Sequence, residues 1–415
     1  MRSVVAGLVF AAAVAAQPAS EKITIQQAVQ EALDHNLNLL AERYNISVAE
    51  TRIVTARLRP NPVFSAAVDY IDFLGQFSPA NAAGPTEYNF RTDFILERGG
   101  KRERRIEVAQ DAREVVKLQL LNTTRSLVLD VQNAFTDVLQ AKDNLQLARE
   151  NLQAFQGIVD VNRTRVTAGD LAKVELVRTQ VAALQFQTAV RQAESKLRVA
   201  ANRLQTLLGR TSPSANFDVE GSLRRDTAPL VFETIRTEAM DLRPDLLSLR
   251  RDQARSQADL RSQIAHGKVD YTVGTEFHRQ FYNGHSNALG VFFQAPLPIF
   301  NRNQGEIERA RQEGRQIEAR IKALETDIQT EVRNAWVLYN ASRDLLENIE
   351  TNLLAQAKDV RDTMEYSYRR GEASLVEFLD AQRAFNDARQ SYNDARADYA
   401  RSLYTIDSVS GRAAQ

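Results

Sequence analysis

The feature that most constrains the fold is a long heptad pattern that no proline interrupts. From Leu127 to Val159, small or apolar residues recur at alternating steps of four and three, which is the spacing of helices packed side by side. These positions are Leu127, Val131, Ala134, Val138, Ala141, Leu145, Ala148, Leu152, Phe155 and Val159. The pattern predicts one helix from Lys101 to about Val166, which at about 1.5 Å per residue is roughly 100 Å long. A helix of that length cannot bury its seam in a compact globule, so it must lie along other long helices.

The long helix occurs twice in the chain. A turn at Gly169 leads into a return helix over residues 171–208, and the residues around Gly371 repeat the sequence around this turn. The offset between the copies is 207 residues at Asp34 and Asp241, 201 at Asn133 and Asn334, and 202 at Gly169 and Gly371. The change in offset predicts a loop about six residues longer in the first copy. A second heptad follows the second turn, at Phe378, Ala381, Phe385, Ala388, Tyr392, Ala395 and Tyr399. The helices alone would also fit a duplicated coiled-coil spacer.

Composition excludes several classes of protein. The 53 basic and 53 acidic residues balance, so the positive charge expected of a nucleic-acid-binding protein is missing. Cysteine is absent, which excludes disulfides, thiolate metal sites, a thiol nucleophile and a lipid-anchored cysteine at the mature N-terminus. The four histidines are scattered without the spacing of a metal site. No acid–base or nucleophile–base arrangement stands out, and we expect neither an enzyme nor a cofactor.

The first residues predict a secretory signal peptide over 1–16. Arg2 precedes an apolar run over 4–14, and small residues follow at Ala13, Ala15 and Ala16. The run is too short to span a bilayer, and no run of 18 or more apolar residues follows it. We therefore expect an exported protein, and any membrane insertion of the mature chain must use strands.

Each copy also contains two segments with the alternation of a β-hairpin. The strands are predicted at 63–73 and 87–97 in the first copy, around a loop over 74–85, and at 269–279 and 287–297 in the second. One face of each hairpin is apolar, and its lipid-facing candidates are Phe90, Phe94, Leu289, Val291 and Phe293. Strands of about ten residues with one apolar and one polar face are typical of an outer-membrane barrel. Two hairpins packed as a small sandwich are the alternative.

Four strands cannot close a barrel, and an open sheet edge in a bilayer would leave backbone groups unpaired. Closure requires further copies of the chain, and either two copies with eight strands or three with twelve would satisfy it. We thus expect a mostly α-helical protein with a small β part and an internally duplicated organisation. Its predicted segments are the signal peptide, a first repeat over 17–208 with its long helix pair at 101–208, a linker over 209–228, a second repeat over 229–409 with its long helix pair at 303–409, and a tail over 410–415.

Four short motifs flank the strands and the second turn. They are residues 59–62 (RPNP), 97–102 (ERGGKR), 298–305 (PIFNRNQG) and 368–375 (YRRGEASL). Each is weak alone, but in this order and inside a repeat they resemble the TolC-like outer-membrane factor family, and most closely its CzcC-like heavy-metal branch. The resemblance covers nearly the whole mature chain. It implies a homotrimer in which a twelve-stranded barrel in the outer membrane continues into a twelve-helix periplasmic tunnel, an α-barrel. It also implies two partners, a periplasmic adaptor protein and an inner-membrane efflux pump.

The resemblance assigns the two helical turns to the end of the tunnel that contacts the adaptor. The residues concerned are Gly169, Asp170, Gly371, Glu372 and Ser374. The alternative is a pair of helix hairpins that contact nothing.

The same resemblance predicts a periplasmic gate. Glu377 and Asp380 lie three apart on one helix face and match the family's carboxylate rings, which in a trimer would attract cations. Glu377 fits a capping box with Ser374 equally well. Asp362 and Arg369, with Asp160 and Arg163, are candidates for salt bridges that close the entrance, although charges on a long helix are commonly just solvated.

Two functions of different classes remain. The first is the outer-membrane channel of a tripartite, RND-type efflux system, a passive duct to which the branch resemblance assigns divalent heavy-metal cations. Multidrug efflux and type I secretion use the same kind of duct. The second is a periplasmic coiled-coil structural or adaptor protein that never enters a membrane. The hairpin alternation favours the first, because a periplasmic spacer has no use for apolar strand faces.

Overall fold

The chain is mostly helical and carries six strands in the part that a computed structural model describes, residues 21–71, 86–226, 228–280 and 286–412. The predicted signal peptide, the loop over 74–85, His285 and the last three residues lie outside these ranges. The elements in chain order are β1 Glu21–Ile23, α1 Ile25–His35, α2 Leu37–Arg57, β2 Val63–Asp69, β3 Glu87–Leu96, α3 Lys101–Ala168, α4 Lys173–Leu207, β4 Phe217–Val219, α5 Phe232–Leu242, α6 Pro244–His266, β5 Tyr271–Gln280, β6 Ser286–Gln294, α7 Gln304–Asn348, α8 Leu354–Arg370 and α9 Leu375–Ser410.

The long helices follow the predicted pattern. Helix α3 has 68 residues and α4 has 35, and they flank the turn at Gly169. Helix α2 ends at Arg57, directly before the motif with two prolines, because a residue preceding proline avoids the helical region. None of the described helices contains a stretch long and apolar enough to cross a membrane.

The second long helix differs from the prediction. A five-residue π-helical segment, Ile349–Leu353, separates α7 from α8. Such a segment adds one residue to a helical turn without ending the helix, and the side-chain pattern of the sequence alone did not reveal it.

The described chain forms two compact units. The first comprises residues within 1–37, 126–230 and 334–408, and the second those within 38–125, 231–333 and 409–415. Each unit therefore draws on both copies of the repeat, and both α3 and α7 contribute to the two units.

The first unit is built on the two predicted heptads. Val131, Ala134 and Val138 are buried along α3, and Phe378 and Ala388 are buried along α9. Helices α3 and α9 pack along each other, since the amide of Gln140 donates to Asp394 at 2.6 Å and that of Gln382 donates to Asn151 at 3.3 Å. The buried positions of both heptads lie along this pair of helices.

The predicted linker also contributes to the first unit. It contains β4, which pairs in parallel with β1 through Ile23 and Val219. No strand was predicted in the linker, because a strand of three residues is too short to show alternation. Beside this small sheet, Gly209 packs so closely on α1 that a side-chain carbon there would lie 2.1 Å from the carbonyl oxygen of His35.

The second unit contains a four-stranded antiparallel sheet with the order β2-β3-β5-β6. Each hairpin forms within its own copy, and the two hairpins join where β3 pairs with β5. The strands are shorter than predicted at several ends. β2 ends at Asp69, whereas the prediction extended to 73, and residues 72 and 73 lie outside the described ranges. β6 ends at Gln294, since Pro296 and Pro298 remove backbone donors. β5 begins at Tyr271, two residues later than predicted.

Candidate functional site

The two predicted turns share one backbone geometry. Gly169 has φ of 88° and Gly371 has φ of 81°, in the left-handed region that favours glycine. In the first turn the N–H of Asp170 donates to the carbonyl of Arg165 at 2.8 Å, and in the second the N–H of Glu372 donates to Ser367 at 2.9 Å. Both bonds close a helix in the manner of a Schellman motif. The repeat seen in the sequence is thus a repeat of structure.

The two turns lie beside each other in the first unit. We define the turn region as residues 155–186 and 361–383. A groove of about 500 Å³ runs between its helices, lined by Arg165, Glu175, Tyr368 and Leu375 among others. A side-chain carbon at Gly371 would be 3.4 Å from a guanidinium nitrogen of Arg165. The predicted adaptor-contacting residues, Gly169, Asp170, Gly371, Glu372 and Ser374, are all exposed around this groove.

A buried polar network connects three helices of the turn region. Asn162 of α3 is fully buried, and its amide nitrogen donates to the hydroxyl of Thr179 on α4 at 2.8 Å and to that of Tyr368 on α8 at 2.6 Å. The Thr179 hydroxyl in turn donates to the carbonyl of Glu175. The amide oxygen of Asn162 is buried without a hydrogen-bond partner. This network joins a helix pair of the first copy to a helix of the second.

Aromatic rings surround the network. Phe378 stacks on Tyr368 with ring centroids 5.6 Å apart and on Phe155 at 6.3 Å. These rings keep water away from the amide of Asn162, so its hydrogen bonds are made in an apolar environment.

Sequence reasoning missed this network, although a signal was present. The heptad that runs to Val159 continues three residues later at Asn162, so a polar residue occupies a core position. A single buried asparagine at such a position specifies the register of packed helices.

The four predicted gate residues pair within their own helices in the single chain. The Glu377 carboxylate accepts the backbone N–H and the hydroxyl of Ser374, both at 2.8 Å, and the Ser374 hydroxyl accepts the N–H of Glu377 at 3.3 Å. This is the capping box that the sequence offered as one of two interpretations. The bonds from Ser374 lower the pKa of Glu377.

The remaining gate candidates make local ion pairs. They are Asp380 with Arg383 at 3.6 Å, Asp362 with Arg361 at 2.7 Å, Arg369 with Glu365 at 2.7 Å and Asp160 with Arg163 at 2.7 Å. Within the described part of the chain, no salt bridge joins the first turn to the second. The predicted closing salt bridges are therefore not made within one subunit, and the hydrogen bonds of Asn162 connect the two turns instead.

The four-stranded sheet carries the second set of predicted residues. Phe277 of β5 lies opposite Phe90 of β3 and opposite Leu289 of β6, so these three side chains share one face of the sheet. Phe94, Val291 and Phe293 lie on the same face by the same register. All five predicted residues on this face are exposed, with Val291 at 81%.

The opposite face of the sheet is polar. The ring nitrogens of His278 lie 3.3 Å from a carboxylate oxygen of Glu87 and 3.2 Å from one of Glu276. The guanidinium of Arg91 lies over the ring of Phe292 at 3.5 Å. Since the two carboxylates approach opposite edges of the imidazole, they cannot converge on one ion. Over the ranges that the structure describes, no group of three or more acidic or histidine side chains could hold a metal.

Known proteins share both the sequence pattern and the fold. The model of the family described as outer membrane efflux protein matches residues 28–210 and 236–412. The cobalt-zinc-cadmium resistance protein CzcC of Cupriavidus metallidurans is 25% identical over 395 residues, covering 95% of this chain and 91% of that protein. The pyoverdine export outer membrane protein OpmQ of Pseudomonas putida is 24% identical over 300 residues, covering 68% of this chain and 59% of that protein.

A solved structure of CusC, described in connection with transmembrane channel formation, superposes with a TM-score of 0.77 at 18% identity. It covers 93% of this chain and 92% of the CusC chain. The family match spans both copies of the repeat, and the chain belongs to the outer membrane efflux protein family.

Proposed function

We propose that this protein is the outer-membrane duct of a tripartite efflux system and works as a homotrimer. In this assembly each subunit contributes four strands to a twelve-stranded barrel and its long helices to a periplasmic tunnel. Residues 1–16 direct export and are removed. The duct is passive, and an inner-membrane pump drives transport through a periplasmic adaptor.

The observation that carries the proposal is the sheet with its two different faces. Its apolar face exposes Leu289, Val291 and Phe293, which in water would be costly to solvate, whereas the other face carries His278 and Arg91. Lipid on one side and a water-filled lumen on the other satisfy both faces. A sandwich would bury the apolar face, yet no described element covers it.

The edges of the sheet support assembly. Along the described residues, β2 pairs only with β3 and β6 pairs only with β5. An open edge cannot remain in hydrocarbon, because its N–H and C=O groups would lack partners. Pairing of β6 with β2 of the next copy closes the barrel.

Exposed apolar rows on the helices support the same assembly. Val174, Val177, Val181 and Leu184 follow a heptad along α4 and are all exposed. A heptad row of apolar residues requires a facing helix. No helix within the described residues covers this row, so we assign it to contact with a neighbouring subunit.

A second row runs through α7 and α8. Leu338, Leu345, Leu353 and Val360 are exposed and step by seven, eight and seven residues. The step of eight falls at the π-helical segment, whose additional residue keeps the row on one face of the helix. The segment thus preserves a continuous contact surface for the neighbouring subunit.

The turn region is the part that binds the adaptor. Its exposed glycine turns repeat at equivalent positions in the two copies, so a trimer presents six similar turns to a partner. Three copies of Glu377 and Asp380 lie next to these turns and give the entrance a negative field.

Divalent heavy-metal cations are the cargo that we propose. The similarity to the metal-resistance protein CzcC and the carboxylates at the entrance support this choice. An organic cargo is the second candidate, because the pyoverdine exporter OpmQ matches at nearly the same identity.

Replacement of Val291 with Arg tests the membrane assignment. Val291 is 81% exposed on the apolar face, and a charge facing lipid near the middle of a bilayer costs roughly 2–4 kcal/mol per subunit. We expect the variant to lose trimeric protein from the outer-membrane fraction. The matched control is Ala288→Arg, on the polar face of the same strand. Normal trimers with Val291→Arg, or equal loss in both variants, would contradict the proposal.

A further inference from the structure

One end of the four-stranded sheet combines exposed positive charge with exposed apolar side chains. We call it the sheet base, defined by residues 57–62, 96–100, 267–271 and 295–303. Leu96 pairs with Tyr271 and Thr272 pairs with Gln294, so the last three segments lie together at the same end of the strands. The pairing of Val63 with Asp93 adds the first segment. At this end of the sheet the strands are followed by the helices of the second unit.

Three cations at the sheet base lie on adjoining backbone segments. Gly99, which follows Arg98, packs against Lys268, and a side-chain carbon at Gly99 would lie 2.7 Å from Cδ of that lysine. The neighbouring Gly267 packs against Arg302, with 2.7 Å between such a carbon and the Arg302 carbonyl oxygen. Arg98, Lys268 and Arg302 are therefore held near one another, and all three are exposed.

The carboxylates of the described residues leave these cations without an ion-pair partner. Among the described residues, none of the salt bridges includes Arg98, Lys268 or Arg302. The nearby acid, Asp270, is already engaged by the ammonium of Lys101 at 2.7 Å and by the backbone N–H of Arg98 at 2.9 Å. Arginines on the helices of the same unit are commonly paired, as Arg261 is with Glu107 at 2.6 Å. The sheet base thus carries an excess of positive charge without internal neutralisation.

The guanidinium of Arg98 lies on the apolar face of the sheet. It sits over the ring of Tyr271 at 4.2 Å, and Tyr271 meets Phe293 edge-on with ring centroids 5.1 Å apart. The three side chains form a continuous column at this end of the apolar face. An arginine that lies along an aromatic ring beside an apolar surface is typical of a membrane–water interface.

The segment after β6 extends the apolar surface toward this charge. Phe300 is 89% exposed, and Leu297 and Ile299 are also exposed. A backbone bond from Ile299 to Leu297 at 2.8 Å and a bond from the Arg302 guanidinium to the Pro298 carbonyl at 3.2 Å give the segment a defined shape. A large aromatic ring fixed in this way beside unpaired cations matches a surface that is apolar on one side and anionic on the other.

We propose that the sheet base binds the headgroup of an anionic phospholipid in the periplasmic leaflet of the outer membrane. The phosphate contacts Arg98, Lys268 and Arg302, while Phe300 and Ile299 insert beside the glycerol and upper acyl chain. This proposal rests on the proposed barrel, because it needs the apolar face to be in lipid. It adds a preference for headgroup charge and fixes the depth at which the barrel sits.

The first test uses tryptophan fluorescence. The chain has one tryptophan, so Trp336→Phe provides a background in which Phe300→Trp and, separately, Val291→Trp are the only reporters. The trimer is reconstituted into phosphatidylcholine vesicles with bromine on the acyl chains, which quenches tryptophan by contact. We expect quenching at both positions, weaker at Phe300 because it lies nearer to the headgroups.

The two reporters separate the two proposals. Quenching at Val291 without quenching at Phe300 would mean that a neighbouring subunit or another protein covers the segment, and the lipid site would be wrong while the barrel stands. Absence of quenching at both positions would refute the proposed barrel itself.

The second test measures headgroup preference. Binding of spin-labelled phosphatidylglycerol is compared with that of phosphatidylcholine for the reconstituted trimer. Each cation at a membrane surface contributes about a fivefold change in the affinity for anionic lipid, and the contribution falls with added salt. We expect Arg98→Gln, Lys268→Gln and Arg302→Gln together to abolish the preference at low salt, while the trimer and its conductance persist.

The matched control removes three other exposed arginines of the same unit that have no carboxylate partner among the described residues. It combines Arg52→Gln, Arg320→Gln and Arg333→Gln, which change the net charge equally. Retention of the preference in the control, with loss in the sheet-base variant, supports the site. Equal preference in both variants, or none in the unaltered protein, overturns it.

Discussion

Removal of one hydroxyl should loosen the turn region measurably. Tyr368→Phe deletes the oxygen that lies 2.6 Å from the amide nitrogen of Asn162 and leaves the ring stacked on Phe378. Asn162 is fully buried, so the freed N–H cannot reach water. A buried donor without a partner costs about 1–3 kcal/mol. This corresponds to an increase of about 5- to 150-fold in local opening.

Amide hydrogen exchange is the appropriate assay, because it reports local opening without requiring the whole protein to unfold. Peptides from 354–370 should exchange faster in Tyr368→Phe than in the unaltered protein. The matched control is Tyr366→Phe, two residues away, whose ring is 55% exposed and lies against the guanidinium of Arg370. This control should change the free energy of local opening by no more than about 0.5 kcal/mol.

A combined variant tests whether the three side chains act together. Asn162→Leu, Thr179→Val and Tyr368→Phe remove every polar side chain of the network and replace each with an apolar group of similar shape. Such a replacement can be nearly neutral, because no buried group is left without a partner. The triple variant should therefore exchange more slowly than Tyr368→Phe alone. The reasoning would be refuted by unchanged exchange in Tyr368→Phe. It would also be refuted if the triple variant were destabilised by the sum of the three single substitutions.

Three further predictions concern glycine positions and the entrance carboxylates. Gly209→Ala should lower the free energy of unfolding in urea by several kcal/mol, because Gly209 has φ of 82° and a side-chain carbon would lie 2.1 Å from a carbonyl oxygen. Gly157→Ala, in mid-helix with no atom near the added carbon, should raise it by about 1 kcal/mol. The carboxylate of Glu377 has a lowered pKa, so it stabilises the start of α9 above about pH 4.5 and this contribution is lost as the pH falls through the folded-state pKa; Ser374→Ala should remove the effect in hydrogen exchange measured against pH. Glu377→Gln with Asp380→Asn should lower the cation preference of the single channel, and unchanged reversal potentials would exclude both residues from the entrance.

Periodicity accounts for the parts of the fold that could be predicted. A heptad of Leu127 to Val159 and an alternation through Phe90 and Phe94 are local signals, and each reports which face of an element is covered. The glycine at 169 was predictable for a similar reason, since a tight turn between long helices needs a left-handed residue. The family resemblance, which rested on four short motifs, is confirmed by the match over both copies.

Contacts between distant segments were harder to predict. The pairing of β3 with β5 and of β1 with β4 depends on chain segments far apart, and no local pattern specifies a partner. The network of Asn162 was hidden for a different reason, because one asparagine in a heptad is visible but its partners Thr179 and Tyr368 are on other helices. The carboxylate rings require three chains at once, so they stay a prediction, while the capping role of Glu377 needed only one helix turn.

The π-helical segment Ile349–Leu353 has a consequence for which changes in length this chain tolerates. Deletion of one residue there would restore a regular helix in which the row steps by seven throughout, so the side chains beyond the segment would keep their direction. Val360 would then stay on the surface it shares with Leu345. One residue inserted or deleted elsewhere in α7 or α8 would instead rotate every side chain beyond it by about 100° around the axis. The exposed row therefore limits where this chain can gain or lose residues, because a change in length outside the π-helical segment would turn part of the row away from the proposed subunit contact.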